Sequence, residues 1–172
     1  MNELKEIRVN DQRLLLNDNL VKSAILPRVS SELERDVVIQ GDTIIEGAVY
    51  ARYFEVQKGK LEVKGAVFTQ IELHVNNDAK GSALFHKAVG STDSIVSLAP
   101  SYRVIFHADI NAKQVKLRNA FVAGSIFADE IVLEDCIVIG GVFASLNLEI
   151  NNSIIGTFNS PLVRISKTYM LH

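Results

Sequence analysis

The sequence predicts an all-β fold, a triangular parallel β-helix, and three observations carry that prediction. Residues 108–171 divide without a gap into four rows of sixteen; the first column reads Ala108, Gly124, Gly140 and Gly156, and the third reads Ile110, Ile126, Val142 and Phe158. A fixed short period of this kind marks a solenoid. Within each row apolar residues recur at every second position, as at Ile126 and Ala128, Ile131 and Leu133, and Ile137 and Ile139. Period two means strand, with those side chains on one face. Sixteen residues divide into three strands of about four with one or two residues at each joint. The twelfth column, Asn119, Asp135, Asn151 and Lys167, marks one joint, because Asn and Asp tolerate the left-handed conformation of a sharp bend.

Stacked turns pair each strand with its copies above and below at ~4.8 Å, so about seven turns make a rod of roughly 30 to 35 Å. Helical repeats such as tetratricopeptide or ankyrin need periods near 33 or 34 and helix-forming stretches, whereas these segments are rich in Val, Ile and Phe with frequent Gly and Asn. A hexapeptide β-helix would keep apolar residues every six positions. That phase fails along Ile39, Ile45, Ala51, Gln57, Val63 and Thr69.

Taken in order, residues 1–36 stand outside the repeat and are expected to cap the first turn, because a solenoid end exposes unpaired backbone groups and core side chains. Ile7 and Val9, then Leu14 and Leu16, alternate like two short strands joined through Asn10 and Asp11. Leu20, Val21, Ile25 and Leu26 form an apolar cluster that stops at Pro27, and Ser31 with Glu34 is a capping-box pattern for a short helix before Asp36. The β-helix domain is expected over 37–171. Its lead-in is VVIQGDTIIEG, followed by GAVYARYFEVQKGKLEVK and GAVFTQIELHVNNDAK. The segment Gly81 to His107 is read as one long turn with its surplus extruded as a loop within Ala88 to Ser101, where Gly, Ser, Thr, Asp and Pro cluster.

With 48% apolar and 22% charged residues, the 172-residue chain is globular. A net charge of -2 supplies no basic field, so neither nucleic acid nor an acidic membrane surface is an expected partner. No apolar run approaches a membrane span, and MNELKEIRVN lacks the apolar core of a signal peptide. A cytoplasmic location is therefore expected, with membrane association unsupported by the residues. Cys136, the single cysteine, has no partner for an internal disulfide and sits in a small-residue column with Ala120 and Asn152. It reads as an inert small side chain.

The rows GAVYARYFEV, GAVFTQIELHV, GSIFADEIVL and GGVFASLNLEI, with the lead-in VVIQGDTIIEG, resemble the bactofilin family, whose turns carry Gly-x-Ile/Val-x-Ala before an alternating strand. Gly47, Val49 and Ala51, Gly124, Ile126 and Ala128, and Gly140, Val142 and Ala144 occupy those positions; in Gly65, Val67 and Thr69 the alanine is replaced. The resemblance implies a right-handed β-helix that polymerises end to end without nucleotide into cytoskeletal filaments or scaffolds, often at a membrane.

The expected function is accordingly a non-enzymatic scaffold that binds copies of itself and docks other proteins, with no cofactor, metal or small-molecule substrate. Two candidate surfaces follow. Phe158, Val163, Ile165, Tyr169 and Leu171 in the last row form an expected open end, since the final row closes one residue before His172. Tyr50, Phe68, Phe127 and Phe143 share the fourth column with Leu84 and are expected to align as one outward aromatic ladder, covered by the N-terminal segment or a partner. An alternative is an enzyme resembling the hexapeptide acyltransferases, which use a histidine in a cleft, with His86 or His107 beside the 81–107 turn as candidates. A second alternative is a non-polymerising subunit whose aromatics are buried by a partner. His74 and His172 lie in other turns, and Asp129, Glu130, Glu134 and Asp135 read as solvated corners. Residues 119–163 hold five acids and no Lys or Arg, a net -5 against +1 for residues 1–118. That gradient can orient subunits.

Overall fold

The computed structural model describes residues 1–8, 12–27 and 35–171, and among them every regular element is a strand. All strand pairings are parallel, and the chain coils through about nine turns. Three ladders form the faces of the coil. The first face stacks Leu14, Val37, Phe54, Leu73, Ile95, Val115, Ile131, Leu148 and Val163. The second stacks Leu4, Val21, Ile45, Val63, Phe85, Phe106, Val122, Val138, Ile155 and Met170. The third stacks Ile25, Val49, Val67, Val89, Ile110, Ile126, Val142 and Phe158. Inward members of these ladders form one continuous core.

Parallel ladders on three sides leave a prism too narrow for large side chains at every rung, hence the Val and Ile. Aromatic rings enter the core at a few rungs: Phe85 and Phe106 stack at 5.3 Å, with Phe54 edge-on to Phe85 at 6.4 Å. Tyr102, at the start of the strand that ends in Phe106, is buried and donates its hydroxyl to the Ser82 carbonyl at 2.9 Å, so the ring adds volume without leaving a donor unpaired.

Three expectations are corrected by this register. Residues 1–27 do not form a separate cap: Asn2–Leu4, Arg13–Leu16 and Asn19–Val21 are rungs of the same ladders, which raises the turn count above seven. They escaped the repeat because Leu14 steps 23 residues to Val37 and Asn19 steps 24 to Thr43. The expected Asn10–Asp11 turn and the Ser31–Glu34 helix lie outside the described residues.

The 81–107 segment is not one turn with an extruded loop. Val89–Ser91 and Ser94–Ser97 are ordinary rungs, and the surplus is spread over turns in which Val67 pairs with Val89 and Val89 with Ile110. Gly81 (φ 136°) stacks on Gly59 (φ 99°) at the entrance to the second face rather than on Gly65, and an L side chain would be strained at both.

The third correction is of phase. Ile126, Ile131 and Leu133 are buried as expected, but Ile139 is 47% exposed. Asp135 takes the left-handed corner (φ 54°), so Cys136 and then Val138 point inward while Ile137 and Ile139 point out. The same corner recurs at Asn119 (φ 56°), at Asn152 (φ 48°) rather than Asn151, and at Lys167 (φ 47°). It moves from Asn151 to Asn152 because Ile131 pairs with Leu148, 17 residues on, across an irregularity between Ala128 and Glu130.

Candidate functional surfaces

The two ends of the coil differ in how their inward side chains are covered. At the first turns, Leu16, Val21 and Ile25 are all 0% exposed. Arg35, only 4% exposed, lies among the segments that close this end: its Nη1 donates to the Leu26 carbonyl at 2.9 Å and its Nη2 to the Arg8 carbonyl at 2.7 Å. A guanidinium suits this role because its fixed fork satisfies two carbonyls from separate segments at once.

The last turn carries exposed rungs. Val163 (37%), Ile165 (36%) and Met170 (42%) continue the buried stacks of Leu148, Ile150 and Ile155. Phe158 is half-buried on Val142. Tyr169 and Leu171, expected beside them, are exposed, but Tyr169 stacks on the outward Ile154. Met170 takes its place as the inward side chain, because Lys167 at the corner shifts the phase by one.

The aromatic column proves discontinuous. Tyr50 and Phe68 stack at 5.2 Å, and Phe127 and Phe143 stack at 5.2 Å, but Gly90 and Asn111 occupy the two rungs between the pairs. Leu84 belongs to the second face, opposite Glu62 and Ile105. Phe68 and Phe127 are exposed. Of the described N-terminal residues, Ile25 lies beside Val49 and Tyr50 as the preceding rung, with the Tyr50 N–H donating to the Ile25 carbonyl at 2.8 Å.

The second face carries a feature the sequence reading missed. Its outward ladder runs Leu84, Ile105, Phe121, Ile137, Ile154 and Tyr169 without a polar rung, bordered at the C-terminal half by Ile139. Consecutive side chains half-bury one another, which hides the stripe from a count of exposed residues.

Two polar clusters lie elsewhere. His86 Nε2 sits 2.8 Å from Glu62 Oε1, with the His107 ring edge-on at 5.4 Å, on the corner after the second face. Outside the first face, Arg13, Asp36, Tyr53, Glu55, Glu72 and His74 line a groove of about 410 Å³. There Arg52 forms a bidentate pair with Asp36 at 2.9 and 2.8 Å and lies 5.5 Å from the Tyr53 ring centre. These residues come from consecutive turns and have no common spacing by which the sequence could join them. Among the described residues no three His, Cys, Asp or Glu side chains converge as metal ligands. Burial pushes the Cys136 thiol up to about 11, away from nucleophilic character. No helix among the described residues is long and apolar enough to cross a membrane.

Comparisons with protein family models, curated proteins and solved structures match nothing.

Proposed function

We propose that this chain is a structural β-solenoid that associates with copies of itself through the C-terminal end of the coil, as the resemblance to bactofilins implies, and serves as a scaffold for other proteins. The observation that carries the proposal is the last turn. Val163, Ile165 and Met170 continue the ladders of the buried Leu148, Ile150 and Ile155, yet each is more than a third exposed. A parallel sheet edge carrying exposed inward side chains is a template for further pairing, since it offers backbone donors and acceptors together with apolar surface. Burying three such side chains yields a gross gain of about 1.5 to 3 kcal/mol each, enough to offset part of the cost of association.

Electron microscopy and sedimentation of the purified protein test this directly. The parent is expected to form end-to-end assemblies, either filaments or short paired rods, and the double variant Ile165→Asp with Met170→Asp to sediment as a smaller species with its β-sheet circular dichroism retained. Equal sizes for parent and variant would rule out the C-terminal end as the interface.

A further inference from the structure

The outward side of the second face is a sheet surface built to meet another sheet. From Leu84 to Tyr169 its central ladder is apolar at six consecutive rungs, while its leading rim carries Lys60, Ser82 and Arg103, continued by Asn119 and the corner residue Asp135. An apolar centre with a polar, charged border is the anatomy of a protein interface. The other two faces lack it: the first presents Glu55, His74 and Lys116 in one outward ladder, and the third breaks its aromatics at Gly90 and Asn111.

We infer that the second face binds the second face of another copy of this chain, with the two rods antiparallel and the dyad at Phe121. The order of the ladder fixes this choice. A dyad along the strand direction through Phe121 sets Ile105 against Ile137 of the second copy and Leu84 against Ile154 of the second copy. On the rim it brings Arg103, exposed and two residues before Ile105, over Asp135 of the second copy, two residues before Ile137. The pair forms twice by symmetry. A parallel dimer has the opposite outcome: the leading rim meets the trailing rim at equal height, so Lys60 faces Lys64, and Arg103 faces His107 with no acid opposite it. Antiparallel packing also sets Lys60 near Lys167 of the second copy, a repulsion of the same kind as Lys60 with Lys64, so the choice between the two arrangements rests on Arg103 meeting Asp135.

The overlapping rungs, Glu62 to Tyr169, cover about 29 Å along the rod and about 16 Å across it, or roughly 460 Å² per partner. A standard interface buries about 800 Å² per partner, so this one belongs to the reversible class and forms with rising concentration. It is independent of the end contact proposed above, and it is best measured in the Ile165→Asp, Met170→Asp background, where end pairing is removed.

A residue on a dyad meets its own copy, so Phe121→Cys is the decisive variant; the native Cys136 is buried and stays silent. At tens of micromolar under mild oxidation, Phe121→Cys is expected to form a disulfide-linked dimer at least tenfold faster than Phe127→Cys on the third face. Arg103→Asp is expected to weaken the dimer about tenfold in sedimentation equilibrium, and adding Asp135→Lys to restore it; because Asp135 also lies 3.7 Å from Arg118 and accepts from Asn152 at 2.6 Å, retained circular dichroism of Asp135→Lys alone is the folding control. Equal crosslinking of the two cysteine variants would overturn the interface. A double charge swap no better than Arg103→Asp alone would overturn the antiparallel register. A monomeric parent whose binding to lipid vesicles is lost in Phe121→Glu would overturn the assignment of a second copy.

Discussion

The first and last turns of the coil are built from the same ladders and differ in what covers them. Leu14 and Val163 are the first and last rungs of one stack on the first face, yet Leu14 is buried and Val163 is open. Sequence period alone gives both ends the same template. Closure at the N-terminal end comes from irregular chain, fastened in part by the Arg35 guanidinium. Regular rungs therefore build the rod, while departures from the repeat decide how far each end is enclosed.

The largest expected effects test the shared core on which both ends rest. Ile131→Asp places an uncompensated charge at a site that is 1% exposed, and Val21→Asp does so at the closed end. Each is expected to cost on the order of 4 to 5 kcal/mol or more and to leave the domain unfolded. Val163→Asp, in the same inward phase but at the open end, is expected to cost about 1 kcal/mol, because its carboxylate remains hydrated. Urea unfolding followed by far-ultraviolet circular dichroism ranks the three. A penalty at Val163 equal to that at Val21 would mean that the ends are equally enclosed.

A smaller effect isolates the closure itself. Arg35→Met removes two hydrogen bonds to carbonyls and is expected to destabilise by roughly 2 to 4 kcal/mol. Arg35→Lys is expected to recover less than half, since an ammonium lacks the planar fork. Amide hydrogen exchange is the informative readout: protection should fall over 14–25 and stay unchanged over 140–155. Uniform loss along the rod would make Arg35 a general stabiliser with no special role at that end.

How much of this was legible follows the same division. The third face was legible from Ile110 onward, because Ile110, Ile126, Val142 and Phe158 step by sixteen without slippage. The first face slips at Leu148, and nothing in the sequence distinguishes Asn151 from Asn152 as the corner. Near Cys136 both alternating sets are apolar, Cys136 with Val138 and Ile137 with Ile139, so periodicity could not choose between them; the φ of Asp135 does. That ambiguity also hid the outward stripe of the second face, since Ile137 had been assigned to the core. The leading rungs were illegible for a different reason: steps of 23 and 24 residues depart too far from sixteen for the columns to align.

The smallest expected effect uses Cys136 as a native probe beneath the open end. Its N–H donates to Ser153 Oγ of the next turn at 3.0 Å, and its thiol donates to the Leu117 and Glu134 carbonyls at 3.4 and 3.1 Å. Burial raises the thiol from 9.0 to about 11, with the nearby Asp135 and Glu134 carboxylates adding to the rise. Below pH 9 the group is neutral in both folded and unfolded chains, and its contribution to stability is complete. As pH rises from 9 towards 11 the unfolded chain ionises first and binds fewer protons than the folded one, so stability falls, by on the order of 2 kcal/mol. Cys136→Ala should flatten that part of the pH profile relative to the parent; Tyr102, whose hydroxyl is also pushed up by burial, titrates in both proteins and cancels in the comparison. The same thiol reports on the end above it. If the last turn opens locally, a thiol reagent at pH 8 should label Cys136 faster than global unfolding allows, and assembly through the C-terminal end should slow that labelling. Labelling that tracks global unfolding in every assembly state would place the open end on as firm a footing as the closed one.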